Sequence, residues 1–181
     1  MLGQTAPVTA ATARSILRRV QPAIGELVPL RRSPIQGGIN YRRLTLWRSP
    51  SHGSSLVGIV WTSGQTAHIH SHDHSAVCRR IEGEISVTDF AQLADTRLRV
   101  LRHTRIGPST LTELTEGKTI HVVQNIGSQD AIDLHFCSKR GDGMALRYEA
   151  LWEKSTFSVG EELEVTTYPD HLPVVLSTLD D

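Results

Sequence analysis

The chain has 181 residues, 39% of them hydrophobic and 5% aromatic, with 19 basic side chains against 19 acidic ones. That length accommodates one well-built domain and is short for two, while the cancelling charge removes the long-range attraction on which nucleic acid or an anionic membrane surface depends. No apolar run nears the roughly 20 residues of a spanning helix and the N-terminus carries no apolar signal core, so the expectation is a soluble, cytoplasmic protein that acts on a small molecule.

After a loose start at 1–8, residues 9–27 carry Ile16, Leu17, Val20, Ile24 and Leu27 at helical spacing, with Pro22 among them. Proline breaks a helix interior, so the spacing predicts two short helices. Pro34 and the pair Gly37 and Gly38 make 31–40 a loop. Residues 1–40 are thus a helical and loop segment packed on residues 41–181, within a single domain.

From Tyr41 the period falls to two: Leu44 and Leu46 alternate, 56–61 is a short apolar run, and Ile81, Ile85 and Val87 share one strand parity. Segments 98–101, 110–114, 119–123, 131–137 and 145–151 continue the series between turns rich in Gly, Pro, Asn or Asp. Many short strands at near-regular spacing, without an internal repeat, predict a mainly β sandwich or barrel. The end of the chain, 147–181, holds Trp152, Phe157 and Tyr168 before an acidic stretch and carries no pattern that assigns it a role. Two cysteines, Cys78 and Cys137, are too few for a disulfide framework, and strand-like surroundings predict buried, reduced thiols.

Histidine carries the chemistry. His68, His70, His72 and His74 form a strict i, i+2 series, which a strand would turn to one face. Two such imidazoles can grip one ion from a single strand, and imidazole suits iron, zinc, copper or nickel. Gly64, five residues, His70-Ser71-His72, three residues, Ala76, six residues and Gly83 reproduce the spacing of the first motif of the cupin family, which the chain resembles, with alanine where that motif usually has glutamate. This register selects His70 and His72; the alternative, His72 with His74, keeps the same strand face but puts Thr66 at the first glycine and leaves Gly83 two residues short. His121, three residues and Asn125 match the end of the second motif, making His121 the third ligand. The resemblance implies a small jelly-roll barrel.

Within cupins the chain is similar, over residues 41–138, to the cysteine dioxygenase and 3-mercaptopropionate dioxygenase family. Tyr41-Arg42-Arg43 matches the family's Tyr-x-Arg, whose arginine holds the substrate carboxylate; a guanidinium fork suits that contact. Asp133-Leu134-His135-Phe136-Cys137-Ser138 lies where the family has Ser-Leu-His-Leu-Tyr-Ser, a relay of hydrogen bonds aimed at the substrate. Ala76 and Cys137 replace the cysteine and tyrosine that some members crosslink. If Asp133 pairs with His135, it favours the imidazolium.

The resemblance implies iron(II) on His70, His72 and His121, a carboxylated thiol on Arg43, and Tyr41, Asp133, His135 and Cys137 beside it. The expected reaction joins dioxygen to the thiol to give a sulfinate. Its partners are the small thiol and dioxygen, with no nucleic acid or membrane, and the chain is a monomer or homodimer. The alternatives are a three-histidine oxygenase acting on a cysteine-derived substrate with a different product, and a non-catalytic metal- or ligand-binding cupin.

Overall fold

In the computed structural model, residues 9–20, 41–51, 53–138, 144–150 and 156–169 are described. They form one helix, α1 (Ala10–Arg19), followed by β1 (Arg42–Arg48), β2 (Ser55–Trp61), β3 (Ile69–His72), β4 (Ala76–Glu82), β5 (Ile85–Ala94), β6 (Arg97–Ile106), β7 (Leu111–Leu114), β8 (Ile120–Asn125), β9 (Ala131–Cys137), β10 (Met144–Ala150) and β11 (Glu162–Pro169). One antiparallel sheet has the order β1-β2-β9-β4-β7; the other, β10-β11-β6-β5-β8-β3, closes on itself through β10 and β3. Strands distant in sequence lie side by side, β2 with β9 and β3 with β8, and this winding is the expected cupin-type jelly roll.

Alternation along the strands divides the interior into two cores. On β8, Ile120 and Val122 pack with Ile69, Phe90, Leu98, Val100 and Leu163 inside the closed ring. Val123, of the opposite parity, joins Val57, Ile59, Trp61, Cys78 and Val87 between the sheets, and His121 shares that face. Each fully buried aliphatic contributes about 1.5–3 kcal/mol, so β8 is fixed from both sides. The unassigned C-terminal region supplies β11, whose Leu163 and Val165 complete the ring core.

α1 begins at Thr9, whose hydroxyl accepts from the Thr12 amide at 3.2 Å, satisfying one of the free first-turn donors. Ala13 and Leu17, one turn apart, pack on Val77, Leu134 and Phe136 on the outer face of the first sheet. Arg79, pointing outward from β4, donates to the carbonyls of Leu17 and Val20 and so finishes the helix's open end. The second helix expected beyond Pro22 falls outside the described residues.

The shared face expected of Ile81, Ile85 and Val87 is not formed. Ile81, next to last in β4, packs outward, whereas Ile85 and Val87 begin β5 and face the core between the sheets. Gly83, at φ +71°, turns the chain between them. A Cβ there would lie 2.6 Å from the Ala131 Cα and 2.7 Å from the Asp130 carbonyl oxygen, so the second glycine of the motif is required on two counts, left-handed backbone and close approach. Gly64, at φ +73°, has nothing within 4 Å of such a Cβ. Gly83→Ala is therefore expected to lower unfolding free energy by about 2–5 kcal/mol, and Gly64→Ala by only about 1 kcal/mol. Denaturant midpoints of the two variants measure the difference.

Candidate metal centre

β3 and β8 pair with His70 directly opposite His121, and His72 follows on the same face of β3 two residues on. Nε2 of His121 lies 3.0 Å from Nε2 of His72 and 3.2 Å from Nε2 of His70. Two nitrogens each about 2.0–2.1 Å from a shared ion stand roughly 2.9 Å apart at a right angle and roughly 3.4 Å apart at the tetrahedral angle, so these separations fit one ion. All three rings are buried, and the three possible ligand atoms lie within 4.8 Å of one another.

The tautomers fit as well. The Nδ1 of His70 lies 2.8 Å from the carbonyl of His68; donating there, it leaves the lone pair of Nε2 facing the cluster, the second contact by which a protein orients a ligating imidazole. His72 and His121 are held well below the ordinary histidine range, by burial first and by neighbouring histidines second. Both are therefore neutral at pH 7, as ligation requires. Nδ1 of His72 is buried with no partner, and nothing in the structure explains it.

His74 does not join the trio. β3 ends at His72, so the single strand face expected for all four histidines reaches only His70 and His72. The chain bends at Asp73, and His74 turns its Nδ1 to the Asp73 carboxylate at 2.8 Å. His68, half-buried before the strand, contributes its carbonyl to His70.

The cluster opens onto a cavity of about 300 Å³ between the two sheets, lined by all the expected substrate residues, Tyr41, Arg43, Asp133, His135 and Cys137. Tyr41 is buried with its ring centroid 4.5 Å from that of Trp61. Arg43, half-buried on β1, lies close enough to His74 to oppose its protonation. Ala76 and Cys137 are direct cross-strand partners on β4 and β9, so the two positions that some thiol dioxygenases crosslink face each other here without the atoms to bond. Cys78 and Cys137 are both buried thiols.

The expected pairing of Asp133 with His135 is a loose ion-pair contact, without a hydrogen bond. The Asp133 Oδ2 accepts from the Trp61 Nε1 at 3.0 Å and from the Arg80 Nη2 at 2.8 Å, and His135 Nε2 stays 3.8 Å away, beyond hydrogen-bond reach. His135 instead sets its Nδ1 3.3 Å from Cys78 Sγ. Burial pushes the Cys78 thiol well up, with Asp133 adding to it, so the thiol keeps a proton that it can donate to Nδ1. Arg80 and Cys78 are the cavity residues that the sequence did not assign to the site. Their signal was the parity they share with Ala76 on β4.

Asn125 of the second motif is fully buried and fully bonded. Its Nδ2 donates to the carbonyls of Trp61 and Gln129, and its Oδ1 accepts from the Gly127 amide. It ties the end of β8 to the end of β2, and thereby fixes the strand that carries His121.

No family model and no curated protein matches the chain. Solved structures of similar shape include Peruvianin-I, a cysteine peptidase from Thevetia peruviana latex, at 19% identity and TM-score 0.45 over 59% of this chain and 64% of that one. Oxalate oxidase aligns at 17% identity and TM-score 0.46 over 62% of this chain and 55% of that one. The Schizosaccharomyces pombe Cnp3 cupin domain aligns at 12% and 0.47, over 61% and 66%. The aligned regions thus span less than two thirds of each of these chains.

Each of His70→Ala, His72→Ala and His121→Ala is expected to abolish stoichiometric metal, and His74→Ala to retain it, as read by metal analysis after dialysis. Retention by His72→Ala with loss in His74→Ala would reverse the ligand register. In metal-free protein, unfolded His72 and His121 take up protons below about pH 6.5 while the folded ones do not, so stability falls as pH drops through that value, by roughly 1 kcal/mol per pH unit for each. Urea midpoints between pH 8 and pH 5 test this, and a His72→Gln/His121→Gln double variant should flatten the slope.

Proposed function

We propose that the chain is an iron(II)-dependent thiol dioxygenase that converts a small carboxylated thiol, cysteine or a cysteine-like molecule, to its sulfinate. The observation that carries this reading is the charge of the cavity into which the three imidazoles open. Each acidic residue lining it is held by an arginine: Asp89 by Arg102 at 2.6 Å, Glu113 by Arg14 at 2.7 Å and Asp133 by Arg80 at 2.8 Å. Arg43 and Lys118 also line it and have no ion pair among the described residues. With no carboxylate among the ligands, a divalent ion keeps its full charge, and the site favours an anionic, soft donor such as a thiolate.

Iron(II), when bound there, supplies the redox chemistry by which both atoms of dioxygen join the sulfur, so that thiolate and dioxygen together give sulfinate with no further reductant. The protein's part is binding and orientation. Arg43 takes the carboxylate in its fork, and the apolar wall of Val57, Ile59 and Val87 keeps water from the sulfur. His135 offers an Nε2 proton to a group developing negative charge. Cys137 in place of a tyrosine supports the second reading, a cysteine-derived substrate with a different product, because no phenol hydroxyl stands at that position to steer oxygen.

Protein reconstituted with iron(II) under nitrogen, then given oxygen with cysteine or 3-mercaptopropionate, is expected to consume one dioxygen per thiol and to add two oxygen atoms by mass. Turnover without oxygen consumption would exclude the dioxygenase. Arg43→Ala should raise KM for the carboxylated thiols roughly 10–100-fold and leave cysteamine nearly unchanged; equal loss for both would remove Arg43 from the carboxylate role.

A further inference from the structure

Arg80 is the largest side chain buried almost completely in the described residues, 1% exposed, and it borders the same cavity. A guanidinium has five N–H donors and remains charged at any working pH. In Arg80, Nη2 donates to Asp133, while Nε and Nη1 are buried without a partner. Native interiors seldom leave such donors unsatisfied, and a charged group so placed marks where an acceptor arrives.

Its surroundings are built to hold it there. The Arg80 amide donates to the Thr110 carbonyl, and the Ser109 amide donates to the Arg80 carbonyl, so the turn before β7 clamps the backbone. Asp133, directly opposite in register, fixes the guanidinium and is itself fixed by Trp61. Asp133 balances the charge of Arg80 and leaves its remaining donors uncommitted.

The register sets Arg80 apart from Arg43. Arg43, Ile59, Asp133 and Arg80 form one row across β1, β2, β9 and β4. Three steps at about 4.8 Å put the two arginine backbones roughly 14 Å apart, one at each flank of the sheet that faces the histidines. Arg43 stands near His74, whereas Arg80 is paired with Asp133. A carboxylate held by Arg43 therefore leaves Arg80 still in need of an acceptor.

We propose that Arg80 receives a second carboxylate of the substrate, so that the site is built for a dicarboxylic thiol longer than cysteine. This rests on the thiol reading above and extends it. Thiolate at the histidines, one carboxylate on the charge of Arg43 and one on the open donors of Arg80 would each have a partner in the cavity.

The test is anaerobic calorimetric titration of the metal-loaded protein with mercaptosuccinate, its one-carbon-longer homologue 2-mercaptoglutarate, and 3-mercaptopropionate, with oxygen uptake measured in parallel. At least one dicarboxylate is expected to bind roughly tenfold or more tightly than 3-mercaptopropionate. Arg80→Gln combined with Asp133→Asn, which removes both charges and keeps an acceptor for Trp61, should erase that advantage, weakening the dicarboxylate roughly tenfold more than 3-mercaptopropionate. Arg80→Lys, which keeps the ion pair and loses the fork, should erase most of it and serves if the double variant does not fold. Equal affinity of all three thiols for the unsubstituted protein, or an advantage that survives Arg80→Lys, would overturn the proposal. Oxygen uptake with 3-mercaptopropionate tells the two readings apart: if it persists without a dicarboxylate advantage, only the role of Arg80 fails.

Discussion

The site depends on one short antiparallel pairing, β3 with β8, in which His70 faces His121 across the ladder. Because side chains alternate along a strand, a slip of one residue would send His121 into the ring core and bring Ile120 or Val122 to the metal side. Neither core would tolerate that exchange. Ile120 and Val122 fill one side of β8 and Val123 the other, so hydrophobic burial enforces the register that metal geometry needs. Asn125 adds a polar lock at the end of the same strand.

A second constraint is electrostatic. β4 carries two successive arginines that point opposite ways: Arg79 reaches outward to the carbonyls that end α1, and Arg80 reaches inward to Asp133. The outer one meets backbone dipoles at a half-wet surface. The inner one is stripped of water, a cost that a single carboxylate offsets only in part. The cavity between the sheets is thus neither a plain apolar slot nor a solvated cleft, since its acidic members are spoken for and its cationic members are in excess.

Much of this was legible in the sequence, and for definite reasons. The alternation of His70 with His72 and the spacing of Gly64 and Gly83 around them reflect strand parity and one backbone conformation at Gly83, both of which are local. The place of His121 in the trio followed from its offset to Asn125. The links that were not legible are those made across strands. Nothing along the chain says that Asp133 bonds to Arg80 and only approaches His135, because that choice is set by the β4–β9 register. The end of β3 at His72, which removes His74 from the cluster, likewise depends on where pairing stops and not on the histidine pattern. Ile81 and Ile85 kept the parity of one strand and still parted, because a left-handed glycine between them turned one strand into two.

The strand that carries His70 and His72 is gripped along one edge by β8 and along the other by β10, whose residues 144–148 pair with it. During synthesis the first two imidazoles leave the ribosome about fifty residues before the third, and the second edge of their strand waits about twenty residues more. Contacts of such long range form late, after the closure entropy of the intervening chain has been overcome. Assembly of the complete trio therefore belongs to the final stage of folding, and until then the early pair stands without the third imidazole.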